Sequence, residues 1–304
     1  MADSPAPPAL SAICVHWQNE AELAELLASW PADPRFELVV VDNGATKDLP
    51  AMPPGARVLE PGRNLGFGGG VNAGLAATRG SLVLILNPDA RPEAGALEAL
   101  IDEFAASPAT AGLAPRLRGA DGALQYTWQL GRIPTLPALL LQALFLAGRS
   151  GPALEPAAGT AVEQPAACAL ALRRSALEAI GGFDAEFYPA WFEDVDLAVR
   201  LRQRGAVLRY WPDAVFRHGL GSSVPSLGYG RFLWIYDRNL ARYVRKHHGT
   251  AAAASLRVLL PIGAILRLLA LPLRKPRRAR SRREAAGALL RVAMGAVTGW
   301  RWPG

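Results

Sequence analysis

Ser81-Leu-Val-Leu-Ile-Leu86-Asn87-Pro88-Asp89 sets the reading of this chain. Leu82 to Leu86 are apolar without alternation, as in a strand covered on both faces, the condition met in parallel sheets with a helix layer on each side. The proline ends the ladder, and Asp89 stands just beyond the strand's carboxyl end. Three earlier runs read as strands too: Leu10 to Val15, Phe36 to Val41 and Ala56 to Glu60. Between them, Glu20 to Trp30 carries Leu23, Leu26 and Leu27 at helical spacing. A glycine-rich segment leads into a helix ending near Thr78, and Glu93 to Ala106 is a further amphipathic helix. The alternation predicts an α/β fold: a Rossmann-like, mostly parallel sheet flanked by helices. Ligands of such sheets bind beyond the carboxyl ends of the strands, so topology alone gives Asp42, Asn64 and Asp89 a shared edge.

A second stretch supplies chemistry. Phe192-Glu193-Asp194-Val195-Asp196-Leu197 places Glu193, Asp194 and Asp196 in the first turn of a helix with a natural stop at Gly205. The helix dipole favours negative charge there, so an acidic cap on an ordinary surface helix accounts for these residues as well as a general base does. Tyr188, Trp191 and Phe192 add aromatic bulk that a solvated cap does not need, and His218 follows one strand later. Both neighbours favour a general base held at the mouth of a site.

The 304 residues, 51% of them hydrophobic, suffice for one large α/β domain with additions or for two smaller domains. Cys14 and Cys168, the only cysteines, lie in apolar runs and are expected as buried thiols of a reducing compartment. No signal peptide is expected in Met1 to Pro8. The net charge of +7 is matched by the cluster Arg274, Lys275, Arg277, Arg278, Arg280, Arg282 and Arg283, so a nucleic-acid-binding surface is not expected.

The middle of the chain is less regular. Ala111 to Gln129 reads as a strand, an Ala-Asp-Gly turn and another strand. Leu130 to Val162 has no clean period and reads as a long loop that touches a lipid or an acceptor. Ala166 to Leu172 is a strand of small residues, Arg174 to Ile180 a short helix, Val207 to Trp211 a strand that Ala214 to His218 continues, and Leu227 to His247 a helix.

The glycines at 66 to 74 invite a dinucleotide-binding reading that fails on spacing, because Val71 stands where the third glycine belongs; a Walker pattern is absent as well. Two readings remain open. Gly68, Gly69 and Gly70 at a helix start let backbone N–H groups approach an anion, or the glycines serve packing alone. Asp89 as a lone feature is a turn residue or cap. Together with His218 and a diphosphate it makes a reasonable site for Mg²⁺ or Mn²⁺.

Six segments, in order, carry a resemblance: Val-Val-Val-Asp-Asn-Gly (39–44), Asn-Leu-Gly-Phe-Gly-Gly-Gly-Val-Asn-Ala-Gly-Leu (64–75), Leu-Asn-Pro-Asp (86–89), Gly-Gly-Phe-Asp-Ala-Glu-Phe (181–187), Phe-Glu-Asp-Val-Asp-Leu-Ala-Val-Arg-Leu-Arg (192–202) and Arg-His-Gly-Leu-Gly-Ser-Ser (217–223). The chain resembles the family 2, GT-A-fold inverting glycosyltransferases over roughly residues 10 to 248, in their rhamnosyltransferase-like branch. The resemblance implies that Asp42 holds the nucleobase, that Asn64, Gly66 and Asn72 frame the nucleotide and its phosphates, and that Asp89 is the last acid of the family's metal motif. It implies that Asp194 is the catalytic base, that Glu193 orients the acceptor, and that His218 helps hold the metal or diphosphate. Asn87 stands where the motif's first Asp belongs, which removes one charged ligand, and Asn43 stands where other branches carry a second Asp.

The expected function is transfer of a sugar, rhamnose from dTDP-rhamnose, to a lipid-linked or polysaccharide acceptor in bacterial surface glycan synthesis, with a divalent cation as cofactor. A UDP-sugar donor, or a nucleotide-sugar-binding subunit without turnover, are the alternatives. Residues 1–248 are expected as the catalytic domain and 249–304 as a helical extension. Ala251 to Leu273 is apolar and long enough to span a bilayer, but Arg257, Pro261, Arg267 and Pro272 interrupt it. An in-plane helix with snorkelling arginines is therefore expected, its basic cluster meeting anionic lipid and Trp300 and Trp302 at the interface. The enzyme would then sit peripherally on the cytoplasmic face of the membrane. A hairpin of helices packed on the catalytic domain, joined by a solvated basic linker, is the alternative.

Overall fold

Alternate residues along the central strands face opposite helix layers. In β1 (Leu10–His16), Leu10, Ala12 and Cys14 enter one core with Leu38 and Val40 of β2 (Phe36–Asp42) and Leu84 and Leu86 of β4 (Leu82–Leu86). That core is closed by α1 (Glu20–Ser29), through Leu23, Leu26 and Leu27, and by α3 (Ala96–Ala106). Ile13, Val15, Val39, Val41, Val83 and Ile85 enter the other core, closed by Val71 of α2 (Gly66–Ala77), Leu177 of α6 (Arg174–Ala179) and Leu197 and Leu201 of α7 (Glu193–Gln203). Unbroken apolar runs are what such a two-sided sheet requires. The computed structural model describes residues 6–44, 46, 49–146, 151–219, 227–273, 275–276 and 278–300. Arg274 and Arg277 of the basic cluster, residues 220–223 of the last motif, Trp302, and residues 147–150 of the expected long loop lie outside them.

The sheet corrects one expectation. With β3 (Ala56–Leu59), β5 (Ala90–Pro92), β6 (Thr110–Arg118), β10 (Ala169–Arg173) and β11 (Val207–His218), the strand order is β3-β2-β1-β4-β10-β6-β11-β5. β3, β2, β1 and β4 are parallel, but β10 runs antiparallel to both β4 and β6, and β5 antiparallel to β11, so the sheet is mixed. β10 reverses because it enters from the ligand edge, where its first residue Ala169 pairs with Leu86, the last of β4. Leaving the sheet, Arg173 and Arg174 cap two helices: Arg173 donates to the carbonyls of Phe104 and Ser107, Arg174 to that of Leu75.

The second strand expected before Gln129 is a single helical turn, α4 (Tyr126–Gln129), running into a two-residue strand, β7 (Leu130–Gly131). The expected long loop contains a helix, α5 (Leu136–Ala143), capped by the Thr135 hydroxyl, and a short strand, β8 (Ala161–Val162), followed by β9 (Gln164–Pro165). The strand expected at 207–211 does continue to His218, with a register shift between Trp211 and Val215.

The chain divides into two compact units. The first holds the sheet and its helices. The second collects residues 134–146, 187–192 and 227–300. Its main elements are α8 (Tyr229–Ala270), interrupted at Gly249, and α9 (Arg282–Thr298), capped by Ser281. Leu256, Leu260, Ala285, Ala288, Leu289 and Val292 are buried in it. The boundary expected at residue 248 thus falls inside this unit. The aromatic first half of α8 packs on Trp300 through Trp234, and on Trp191 and Phe192 through Phe232 and Tyr236.

Candidate active site

Three acids share the first turn of α7 and meet three fates. Asp196 is fully buried and accepts from Arg200 Nε at 2.7 Å. The same guanidinium donates to the carbonyls of Ile180 and Gly182, so this pair ties the helix to a neighbouring turn. Glu193 is buried too, and its Oε2 has no hydrogen-bond partner. Burial first, then the charges of Asp194 and Asp196, push the Glu193 carboxyl well above the usual range. Asp194 alone is half-buried. Its Oδ1 accepts from Val195 N at 2.8 Å and its Oδ2 from Gln164 Nε2 at 3.1 Å, which orients the carboxylate.

Asp89 and His218 meet at the other strand ends. His218 Nε2 lies 3.5 Å from Asp89 Oδ1, both side chains buried. Ala90 pairs with His218 across β5 and β11, which is why they coincide. His218 Nδ1 donates to Gln125 Oε1 at 2.8 Å, and Gln125 Nε2 returns a bond to the His218 carbonyl at 2.9 Å. Burial holds His218 below its ordinary range against the pull of Asp89. A neutral ring tied at Nδ1 offers the Nε2 lone pair toward a carboxylate, and a cation between them satisfies both. Among the described residues no group of three or more His, Cys, Asp or Glu converges. The residues therefore fit a cation that keeps most of its shell as diphosphate and water oxygens, as Mg²⁺ and Mn²⁺ do.

Burial, then Asp89 and then Asp194, raise the Cys168 thiol, so both carboxylates bear on one buried sulfur. The expectation of buried free thiols holds for both cysteines.

The donor-side residues have more local tasks. Asp42 accepts from Gly44 N at 2.9 Å and Thr46 N at 2.7 Å, shaping the loop after β2. Asn43 clamps the start of α2, donating to the Gly66 carbonyl and accepting from Leu65 N, while Asn64 Oδ1 accepts from Gly66 N at 2.7 Å. Asn72 is committed elsewhere: its amide exchanges two 2.8 Å bonds with the backbone of Phe183. Gly182 has φ +73, and a Cβ there would meet Asn72 Oδ1 at 2.4 Å. The Gly-Gly-Phe turn is thereby held to α2 by Asn72 and to α7 by Arg200. Gly70 and Gly74 of α2 pack against β1: a Cβ on either would strike Val15 or Ile13.

Residues 11–181 match the family model described as glycosyl transferase family 2. The chain belongs to that family. Among curated proteins, this glycosyltransferase is 28% identical over 235 residues to the N-acetylglucosaminyl-diphospho-decaprenol L-rhamnosyltransferase of Mycobacterium tuberculosis, covering 69% of this chain and 75% of that one. It is 32% identical over 192 residues to the pre-mycofactocin glycosyltransferase of the same organism, covering 60% of this chain but 37% of that protein. Among solved structures it is similar to a mannosyltransferase from Pyrobaculum calidifontis in complex with GDP-Man and Mn²⁺, with TM-score 0.52, 16% identity, and coverage of 98% and 88%. The fold is GT-A, and the chain is a glycosyltransferase.

Two amides of this glycosyltransferase escape sequence reading: Gln164, which orients Asp194, and Gln125, which fixes the His218 tautomer. Each lies in an irregular segment, and only the reversed strand β10 and the end of β6 bring them to the edge.

Proposed function

We propose that this enzyme is an inverting transferase that moves a 6-deoxyhexose, rhamnose from dTDP-rhamnose, onto a lipid-linked acceptor of a bacterial surface glycan. The observation that carries the reading is the unequal fate of Glu193, Asp194 and Asp196: one accessible, oriented carboxylate serves as base. Inversion needs one base to take the acceptor hydroxyl proton as that oxygen attacks the anomeric carbon. No second carboxylate is needed as nucleophile. The named specificity of the rhamnosyltransferase relative supports the sugar and the lipid-linked acceptor.

Asp194 Oδ2, held by Gln164, takes the proton. Glu193, whose charged form burial disfavours, leaves Asp194 as the more accessible carboxylate of the turn and lines the acceptor side. Asp42, Asn64 and Gly66 form the nucleoside and phosphate wall, with Asn72 acting through the Gly182–Phe183 turn. Asp89 and His218 would hold a divalent cation, which supplies charge neutralisation to a departing diphosphate.

Membrane association belongs to the same proposal. The second half of α8 exposes Val258, Ile262, Ile265, Leu266 and Leu269, and α9 exposes Leu290, Met294 and Val297. α8 is long and apolar enough to cross a membrane by length and composition, yet Arg257, Pro261 and Arg267 fall within it. A helix lying in the cytoplasmic interface, with Lys275, Arg278, Arg280, Arg282 and Arg283 near anionic headgroups, accommodates both.

The test is donor turnover. dTDP-rhamnose, UDP-sugars and GDP-mannose are offered singly to the full-length enzyme with a short-chain lipid diphosphate-sugar acceptor. Transfer from dTDP-rhamnose that vanishes in Asp194→Asn supports the reading. Preferred transfer from a UDP-sugar replaces the donor, and absent transfer with intact nucleotide binding replaces the enzyme reading with a binding subunit.

A further inference from the structure

The second unit contains a cavity of its own, of about 900 Å³. That volume lies within the range of small-molecule sites. Arg238, Arg242, Arg245 and Arg257 line it, with Thr250 and Trp300, and no Asp or Glu is among its lining residues. Arg238, Arg242 and Arg245 recur at helical spacing on one face of α8. Arg257 joins them because α8 breaks at Gly249, whose φ of 87° and ψ of 173° lie in a region open essentially to glycine. The break gives the second half of the helix a new direction and brings its first turn to the cavity.

Arg238 is held in place, donating to the Tyr188 carbonyl and to Asn239 Oδ1 at 3.3 Å. Burial first, and then the neighbouring Arg242 charge, lower its pKa. Four guanidiniums round one cavity, with no Asp or Glu among its described lining residues, favour a polyanion. Guanidinium forks match phosphate oxygens in pairs. Leu256, Leu260 and Trp300 add an apolar lining, which a free inorganic anion does not use.

We propose that this cavity binds the diphosphate of a lipid-linked sugar, the acceptor class of the function proposed above, on which this assignment rests. Several guanidiniums match the charge of a diphosphate better than the single charge of most phospholipid headgroups. The helix that lines the cavity also holds residues 190 and 191 of the same unit. Asn239, next to Arg238, donates to the carbonyls of Ala190 at 2.8 Å and Trp191 at 3.2 Å. That segment runs directly into Glu193 and Asp194, and in it Trp191 and Phe192 hold positive φ.

The experiment is direct binding of farnesyl diphosphate to the full-length protein, with dTDP saturating the nucleotide site. Arg242→Ala and Arg245→Ala are compared with the parent, and a thermal melt reports folding of each. The expected result is a Kd about tenfold weaker for each variant, the size of one charge-assisted hydrogen bond, with dTDP affinity unchanged. Arg245→Lys recovers part of the loss. Farnesyl monophosphate and phosphatidylglycerol vesicles are the second and third arms. Farnesyl diphosphate binding that is equal in parent and variants overturns the assignment. Equal losses for vesicles and for the diphosphate overturn it too, in favour of a general lipid surface. Because binding is read without turnover, an inactive donor panel leaves this result standing, and loss of the cavity leaves the donor reading standing.

Discussion

Gln164 Nε2 donates to Asp194 Oδ2 at 3.1 Å, from a residue that is itself almost wholly buried. A rigid amide thus holds the carboxylate that faces solvent. Replacing Asp194 by Asn removes the proton acceptor and should lower kcat by about a hundredfold or more. Gln164→Ala removes only its orientation and should lower kcat roughly tenfold, the worth of one hydrogen bond to a charged group. Donor KM should hold in both, and a kcat that is unchanged in Asp194→Asn would sink the assignment.

The cation reading predicts dependence on the partner of its histidine. Chelation should abolish transfer and Mn²⁺ should restore it. Gln125→Ala should weaken Mn²⁺ activation by about 10- to 100-fold, the usual cost of losing the group that fixes a ligating imidazole. Full activity in chelator, matched by Asp89→Ala, would remove the cation from the reaction.

Asp237 gives the second unit a pH dependence. Burial pushes its carboxyl up to about 7, against the pull of Arg267. The folded state therefore keeps a proton that the unfolded state has already released, from the ordinary carboxylate range up to about pH 7. Stability falls as pH rises through that window and stays low above it. Asp237→Asn should flatten the fall, with a gain over the parent at pH 8 on the order of a few kcal/mol at most. Parallel Tm profiles for the two proteins between pH 5 and 8 would refute it.

Gly74 faces Ile13 so closely that a Cβ would lie 2.4 Å from Ile13 Cγ2. Gly74→Ala should destabilise by about 1–3 kcal/mol, as overpacking does. Nucleotide affinity, measured below the melting range, should change little, which separates packing from a phosphate-binding role for the stripe.

Ile265 and Leu269, both exposed on α8, should carry the salt-resistant part of vesicle binding. Their replacement by Ser should leave a residual affinity that vanishes near 1 M salt, where the Debye length is about 3 Å. Parent-level binding by the double variant would move the membrane contact elsewhere.

The parallel half of the sheet was legible because Leu82 to Leu86 and Leu38 to Val41 are apolar on both faces, a pattern with few other meanings. The helix carrying Asp194 was legible from Val195, Ala198 and Leu201 and its stop at Gly205. Strand-end logic brought Asp89 and His218 to one edge. The reversal of β10 was not legible, since Ala169 to Arg173 reads the same in either direction. Nor was α5, where Pro137 and a run of leucines leave no amphipathic period. The bonds of Asn72 were not legible, because an amide spacing says nothing about whether its partner is a ligand or the backbone of Phe183.

The reversal of β10 bears on how this scaffold changes its substrates. β6 ends at the ligand edge and β10 begins there, so residues 119–168 leave and re-enter the sheet on the same side. Lengthening such an excursion ahead of β8, which pairs with β11, costs little in closure entropy. The parallel half, with its nucleotide wall, stands outside it. Grafting the 119–163 segment between homologues is thus a route to exchanging acceptor preference while the donor is retained, a modularity that a wholly parallel sheet, whose connections return from the opposite edge, does not offer.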